Sequence, residues 1–260
     1  MELTIGEITA WVGSLMWPLM RVGAMVMVAP VFGNDLMPVR IRVFFGLALT
    51  VAILPAVGEV PAVDPLSAEG VMISVQQVLI GLIMGFMLLM AVNVVVVAGE
   101  SMALAMGLGF ATMVDPQTGM SVPVLSQVML VIVTLVFLGM GGHLMLIELT
   151  AESFAAMPIA AEGVGREAFF EVASWAAQMF AGAVLIALPV VTVLLIINLA
   201  LGVMTRAAPQ MNVFSVGLPI TMLVGPVLVL GLVLPVLPTR MAMMWSNAFA
   251  VVRDILTITT

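Results

Sequence analysis

Apolar blocks alternate along the chain with short charged connectors. Ile8–Val31, in which Arg21 is the lone charge, has the length of one membrane span, because a hydrocarbon core of about 30 Å takes about 20 helical residues at about 1.5 Å each. By the same rise Val43–Val57 is short, about 22 Å, and Gly70–Gly99 is long, about 45 Å. Pro123–Ile147 fits a bilayer, whereas Val172–Leu201 and Val213–Leu237 are generous and contain Pro189, Pro219, Pro226 and Pro235. From Arg240 to Thr260 the pattern becomes two-sided, with Trp245, Phe249, Val252 and Leu256 at helical spacing, as in an amphipathic helix. The pattern predicts an all-α integral membrane protein of about six long helices, some broken or kinked, with an amphipathic helix at the end. Tilt absorbs some mismatch with the bilayer, but so mixed a set of lengths suits a complex in which some helices pack on protein.

Composition supports the membrane reading and narrows it. Of the residues, 63% are apolar and 8% charged, against roughly 45–50% and 25% in soluble domains. All seven basic residues are arginines, and 14 acids bring the net charge to −7. Nucleic acid is thereby excluded as a partner, since it needs a basic footprint. There is no cysteine for disulfides or thiolate metal sites. Glu2 and Glu7, with no early base, argue against a cleaved signal peptide.

The connectors differ in sign. Gly33–Arg42 carries Arg40 and Arg42, and Arg206 lies between the last two long blocks. Glu59–Glu69 has only acids, and Glu148–Glu171 holds five glutamates against Arg166. The positive-inside rule places the basic connectors in the cytoplasm and the acidic ones outside, leaving both termini outside after six spans. No internal repeat is visible. The chain reads as one unit, divided into a four-span part (1–147), an acidic connector (148–171), and a helical hairpin with its terminal helix (172–260).

The chemistry concentrates in "GLGFATMVDPQTGMSVPVLSQ" (Gly107–Gln127). Gly107, Gly109, Gly119 and Pro116 interrupt helical backbone there, and such backbone exists at membrane depth only where protein or a water-filled cavity shields it. Three readings stand side by side. The stretch is an ordinary loop between spans, or Asp115 is an ion- or proton-coupling carboxylate in a broken helix, as in a proton-coupled small-solute transporter. In the third, Met106, Leu108, Phe110, Met113 and Met120 form a deformable seal, since methionine re-packs easily around varied shapes. Arg21, inside an apolar block, predicts a structural pair with an acid on another helix or subunit. Pro38, Arg40, Arg42, Arg206, Pro209 and Asn212 belong to Pro-containing basic connectors that either set topology or dock a cytoplasmic partner or anionic lipid. His143 is the single histidine and makes no metal site by itself, so a hydrogen-bonded interfacial role is expected. No catalytic, phosphate-binding or dinucleotide pattern is present, so neither an enzyme nor a cofactor is expected.

Four stretches together resemble a known family: "RVGAMVMVAPVFGNDLMPVRIRVFFGLALT" (Arg21–Thr50), "LIGLIMGF" (Leu79–Phe86), "MGLGFATMVDPQTGMSVPVLSQ" (Met106–Gln127) and "NLALGVMTRAAPQMNVFSVGLPITMLVG" (Asn198–Gly225). In type and order they are similar to the FliR family of the bacterial flagellar export gate. Injectisome relatives share "APQMNVF" but usually follow it with Lys-Ser where Thr221-Met222 stands here, which favours the flagellar branch over a virulence export gate. The family often has Asn at the position of Gly141 and Phe at that of Leu218. The resemblance implies a FliP-like part followed by a FliQ-like hairpin, coassembling with FliP and FliQ in the inner membrane of the flagellar basal body. It further implies FlhB docked on the cytoplasmic side, FlhA in the same apparatus, and unfolded flagellar proteins as the cargo. Much of the helical funnel so formed would project beyond the lipid. The stretch matching Met106–Met120 is implied to be a plug in the closed funnel, in which Gly107, Gly109 and Gly119 permit its fold and displacement. Phe110, Met106 and Met113 would then make the ion-tight contact, with Asp115-Pro116 fixing the turn.

Overall fold

The structure is a computed structural model that describes residues 5–33, 37–108, 124–208 and 213–257, without the side chains of residues 5–11 and 213–215. Among the described residues all regular structure is helical: α1 (Ile5–Val28), α2 (Val39–Ile53), α3 (Ala68–Ala105), α4 (Val124–Gly139), α5 (Gly142–Ala156), α6 (Arg166–Ala207), α7 (Val213–Leu228) and α8 (Leu237–Ile255). A 3-10 turn (Leu54–Ala56) extends α2, and a π-helical turn (Val229–Val233) extends α7. Among the described residues four helices are long and apolar enough to cross a membrane, or five if α4 and α5 count as one broken span. Six spans were expected. Of these, α1 has the 24 residues of a span, and the expected Pro123–Ile147 block is interrupted by Gly141, whose φ of 75° ends one helix and starts the next.

The fold divides into two compact units, and each draws on separate parts of the sequence: 1–90, 140–175 and 245–260 in the first, 91–139 and 176–244 in the second. In the first unit α1 lies close against the N-terminal half of α3. A Cβ at Gly81 would collide with the carbonyl oxygen of Arg21, and one at Gly85 would come within 2.8 Å of that of Met25. The two glycines, four residues apart, therefore let the helix backbones approach as small residues do in membrane helix pairs. Trp17, Met25, Ile80, Met84 and Met87 of these two helices are fully buried, and the Trp17 indole donates to Ser74 Oγ at 3.2 Å. The start of α3 is capped by Ser67, whose Oγ accepts from the Gly70 amide at 3.0 Å. Trp175 of α6 donates to Asn247 Oδ1 of α8 at 2.7 Å. Met241, Trp245, Ala248, Val252 and Leu256 form the buried side of the terminal amphipathic helix.

In the second unit the C-terminal half of α3 contacts α4 at Gly99, where a Cβ would meet Ser126 Oγ at 2.7 Å. The Ser126 hydroxyl donates to the Val96 carbonyl at 3.1 Å. α6 buries a stripe at helical spacing, Ala183, Ile186, Ala187, Val190 and Leu194, while Leu185, Leu188, Leu195, Leu199 and Val203 stand exposed. Both sides of this helix are apolar, as expected of one surrounded by lipid or other protein.

Candidate functional site

The stretch read as loop, ion site or seal begins at the C-terminal end of α3. Met106 and Gly107 belong to the described residues; Gly109, Phe110, Met113, Asp115, Pro116, Gly119 and Met120 lie outside them. A helix leaves its last carbonyls without intrahelical donors. Here the Gly107 amide donates to the Leu104 carbonyl at 3.0 Å, tightening the last turn. Two further partners come from other helices: Asn198 Nδ2 of α6 donates to the Ala105 carbonyl at 3.4 Å, and Thr221 Oγ1 of α7 to the Met106 carbonyl at 2.9 Å. Met106 is fully buried and lies against Gly225, where a Cβ would come within 2.5 Å of its Cγ. Gly107 takes a φ of 79°, the left-handed conformation favoured by a glycine just past a helix end. The sequence reading of the site contained neither Asn198 nor Gly225, and took Thr221 only as a mark of the flagellar branch. A hydroxyl and a glycine four residues apart on an apolar helix were the available signal.

Arg21 occupies a second buried polar cluster, in the first unit. Its Nε donates to Gln77 Oε1 at 2.8 Å, and Nη1 to the Ser153 carbonyl and hydroxyl oxygens at 2.8 and 3.1 Å. Nη2 donates to the Met157 carbonyl at 2.8 Å, and the guanidinium lies 4.2 Å from the centre of the Phe154 ring. The expectation was an acid on another helix or subunit; the partners shown are neutral and belong to this chain. Several oriented dipoles and an aromatic face stabilise the cation without a second buried charge to desolvate.

The connector residues are arranged differently. Pro38 precedes α2 with φ −54° and ψ 136°, Arg40 is exposed, and Arg42 donates to the Met37 carbonyl at 3.3 Å. Arg206 is exposed in the last turn of α6, where a cation is favourable; Pro209 and Asn212 lie outside the described residues. His143 Nδ1 is buried with no hydrogen-bond partner among the described residues. A cleft of about 430 Å³ at the start of α6 and the end of α8 is lined by Arg166, Glu167, Glu171 and Asp254. Its mixed charges form no recognisable catalytic arrangement.

The described part of the site, at the end of α3, offers packing and backbone caps. Residues 12–248 match the family described as bacterial export proteins, family 1. The chain is 37% identical over 251 residues to the flagellar biosynthetic protein FliR of Pectobacterium carotovorum subsp. carotovorum, covering 96% of this chain and 95% of the relative. It is 35% identical over 258 residues to that of Escherichia coli strain K12, covering 98% and 97%. With the protein of the same name from Bacillus subtilis strain 168 the identity is 28% over 242 residues, covering 92% and 88%.

The chain belongs to the FliR family. As a member of the FliR family it is a membrane-embedded component of the flagellar export apparatus and not an enzyme.

Proposed function

We propose that this chain is a core subunit of the flagellar protein export gate in the bacterial inner membrane, forming with FliP and FliQ the channel for unfolded flagellar proteins. FlhB docks at the cytoplasmic connectors around Pro38, Arg40, Arg42, Arg206, Pro209 and Asn212, and FlhA belongs to the same apparatus. Residues 1–147 act as a FliP-like part and 172–260 as a FliQ-like hairpin with its terminal helix.

The observation that carries this reading is the exposed apolar length of α6. Phe170 is 76% exposed at one end and Val203 64% at the other, with Leu195 and Leu199 at 65% and 69%. Phe170 and Val203 are separated by about 50 Å of helix, against about 30 Å of hydrocarbon. Lipid covers only part of that length, and protein helices from partner subunits cover the rest. Mass spectrometry of the complex purified with this chain as bait should recover FliP and FliQ; their absence from an otherwise intact complex overturns the assignment.

Within the gate, Met106–Met120 acts as the plug. Phe110, Met106 and Met113 make the ion-tight contact, with Asp115-Pro116 as the turn. Deleting Met106–Met120 should make the closed gate leak ions, and an unchanged leak with normal export would refute the plug.

A further inference from the structure

The fit between the end of α3 and one side of α7 goes further than a plug alone requires. Thr221, 3% exposed, has carbonyls of its own helix within reach, those of Leu218 and Gly217 at 3.1 and 3.2 Å. A hydroxyl has one proton to give, and the shortest of its three contacts is the Met106 carbonyl at 2.9 Å. Gly225 is one helical turn further on, directly over Thr221, and its missing Cβ is the space that the Met106 side chain occupies. Leu218, one turn before, comes within 3.4 Å of where a Cβ on Gly107 would stand. Threonine and mid-helix glycine are poor helix formers, so α7 gains nothing locally from them. Both stand where Met106 needs a donor and a gap.

We propose that Thr221 and Gly225 are positioning residues that hold the root of the Met106–Met120 stretch fixed on α7. Met106 then stays in place when the gate passes a substrate. This inference rests on reading that stretch as a plug, and it moves Met106 from the seal to the anchor. The positive φ of Gly107 sets the direction in which the chain leaves that anchor.

Because the chain has no cysteine, Met106→Cys with Gly225→Cys introduces a single pair into it. The double variant removes the methionine side chain that a Cβ at position 225 would strike. In the assembled export complex, oxidation should cross-link the pair, read as a reductant-sensitive shift on a gel, and export of flagellar subunits should continue at the uncross-linked rate. Failure to cross-link, or export that stops on oxidation and returns with reductant, overturns the anchor.

Thr221→Val and Thr221→Ser give an independent readout, the ion leak of the closed gate. Valine should raise the leak about fivefold, the factor that one buried hydrogen bond is worth, and serine should keep it near the parent level. If deleting Met106–Met120 leaks while Thr221→Val does not, the anchor is wrong and the plug stands. If the deletion does not leak, the plug reading falls, and the cross-link alone then decides whether the root is fixed.

Discussion

Arg21 and Gly81 face each other on α1 and α3, and the Arg21 backbone sits where a Cβ on Gly81 would otherwise stand. The Arg21 guanidinium reaches Ser153, 132 residues away along the chain, from a backbone whose carbonyl leaves no room for a Cβ at position 81. Arg21→Leu removes the donors and strands the buried oxygens of Gln77 and Ser153, so unfolding in detergent should show a loss of about 3 kcal/mol. Less FliP–FliQ complex should be recovered as well; normal stability and recovery together would show that the cluster contributes nothing to the fold. Gly81→Ala sets a methyl against a backbone oxygen that cannot yield, at about 1–3 kcal/mol. Gly23→Ala is the control, since a Cβ there meets nothing within 4 Å; it should be neutral or stabilising by up to about 1 kcal/mol. Gly141 shows that a departure from the family pattern can be conservative in physical terms. At φ 75° glycine and the family's usual asparagine are the two residues that fit best.

At the scale of elements, hydropathy located the helices well and their surroundings poorly. α3 and α6 are both long and apolar all round, yet 67% of the most apolar window is buried in α3 and 33% in α6. Apolar periodicity separates an inside from an outside only when the outside is water. Lipid and partner helices both accept leucine, so no polar stripe marks the exposed side of α6. The charged edges of the blocks were legible, whereas Gly141 split one expected span into α4 and α5 through a backbone conformation that apolar length does not encode. The amphipathic end was readable because its other face carries polar groups: Arg240, Ser246 and Asp254 are exposed. If α6 is covered by partner protein, Leu199→Arg should leave helical content by circular dichroism unchanged. Copurified FliP and FliQ should fall at least about tenfold, because an unpaired charge in a dry interface costs more than about 1.4 kcal/mol. Unreduced copurification would place that side of α6 in lipid or water.

For the whole molecule, the two units share their long helices but not contiguous sequence, and among the described residues neither contains a recognisable catalytic arrangement. Reconstituted by itself into vesicles, the chain should take up no small solute and carry no protons, measured with a pH-sensitive dye under an imposed gradient. Proton-coupled uptake that disappears in Asp115→Asn would establish a transporter instead. The Ala105 carbonyl is held by α6 and Met106 by α7, far along the chain, so their role was not readable from their neighbours in sequence.

What the sequence determined by itself was the class of protein, the approximate extent of most apolar helices, the end of α3 near Gly107, and the family. These follow from properties that add up locally, residue by residue: transfer of side chains from water, turn chemistry, and characteristic runs. Tertiary structure alone decided that neutral oxygens hold Arg21, that Gly81 and Gly225 are spaces for a carbonyl and a methionine, and that Thr221 caps another helix. Hydrogen bonds to carbonyls and contacts made possible by an absent Cβ leave no charge or periodicity in the chain, because every residue offers a carbonyl and a missing side chain has no pattern.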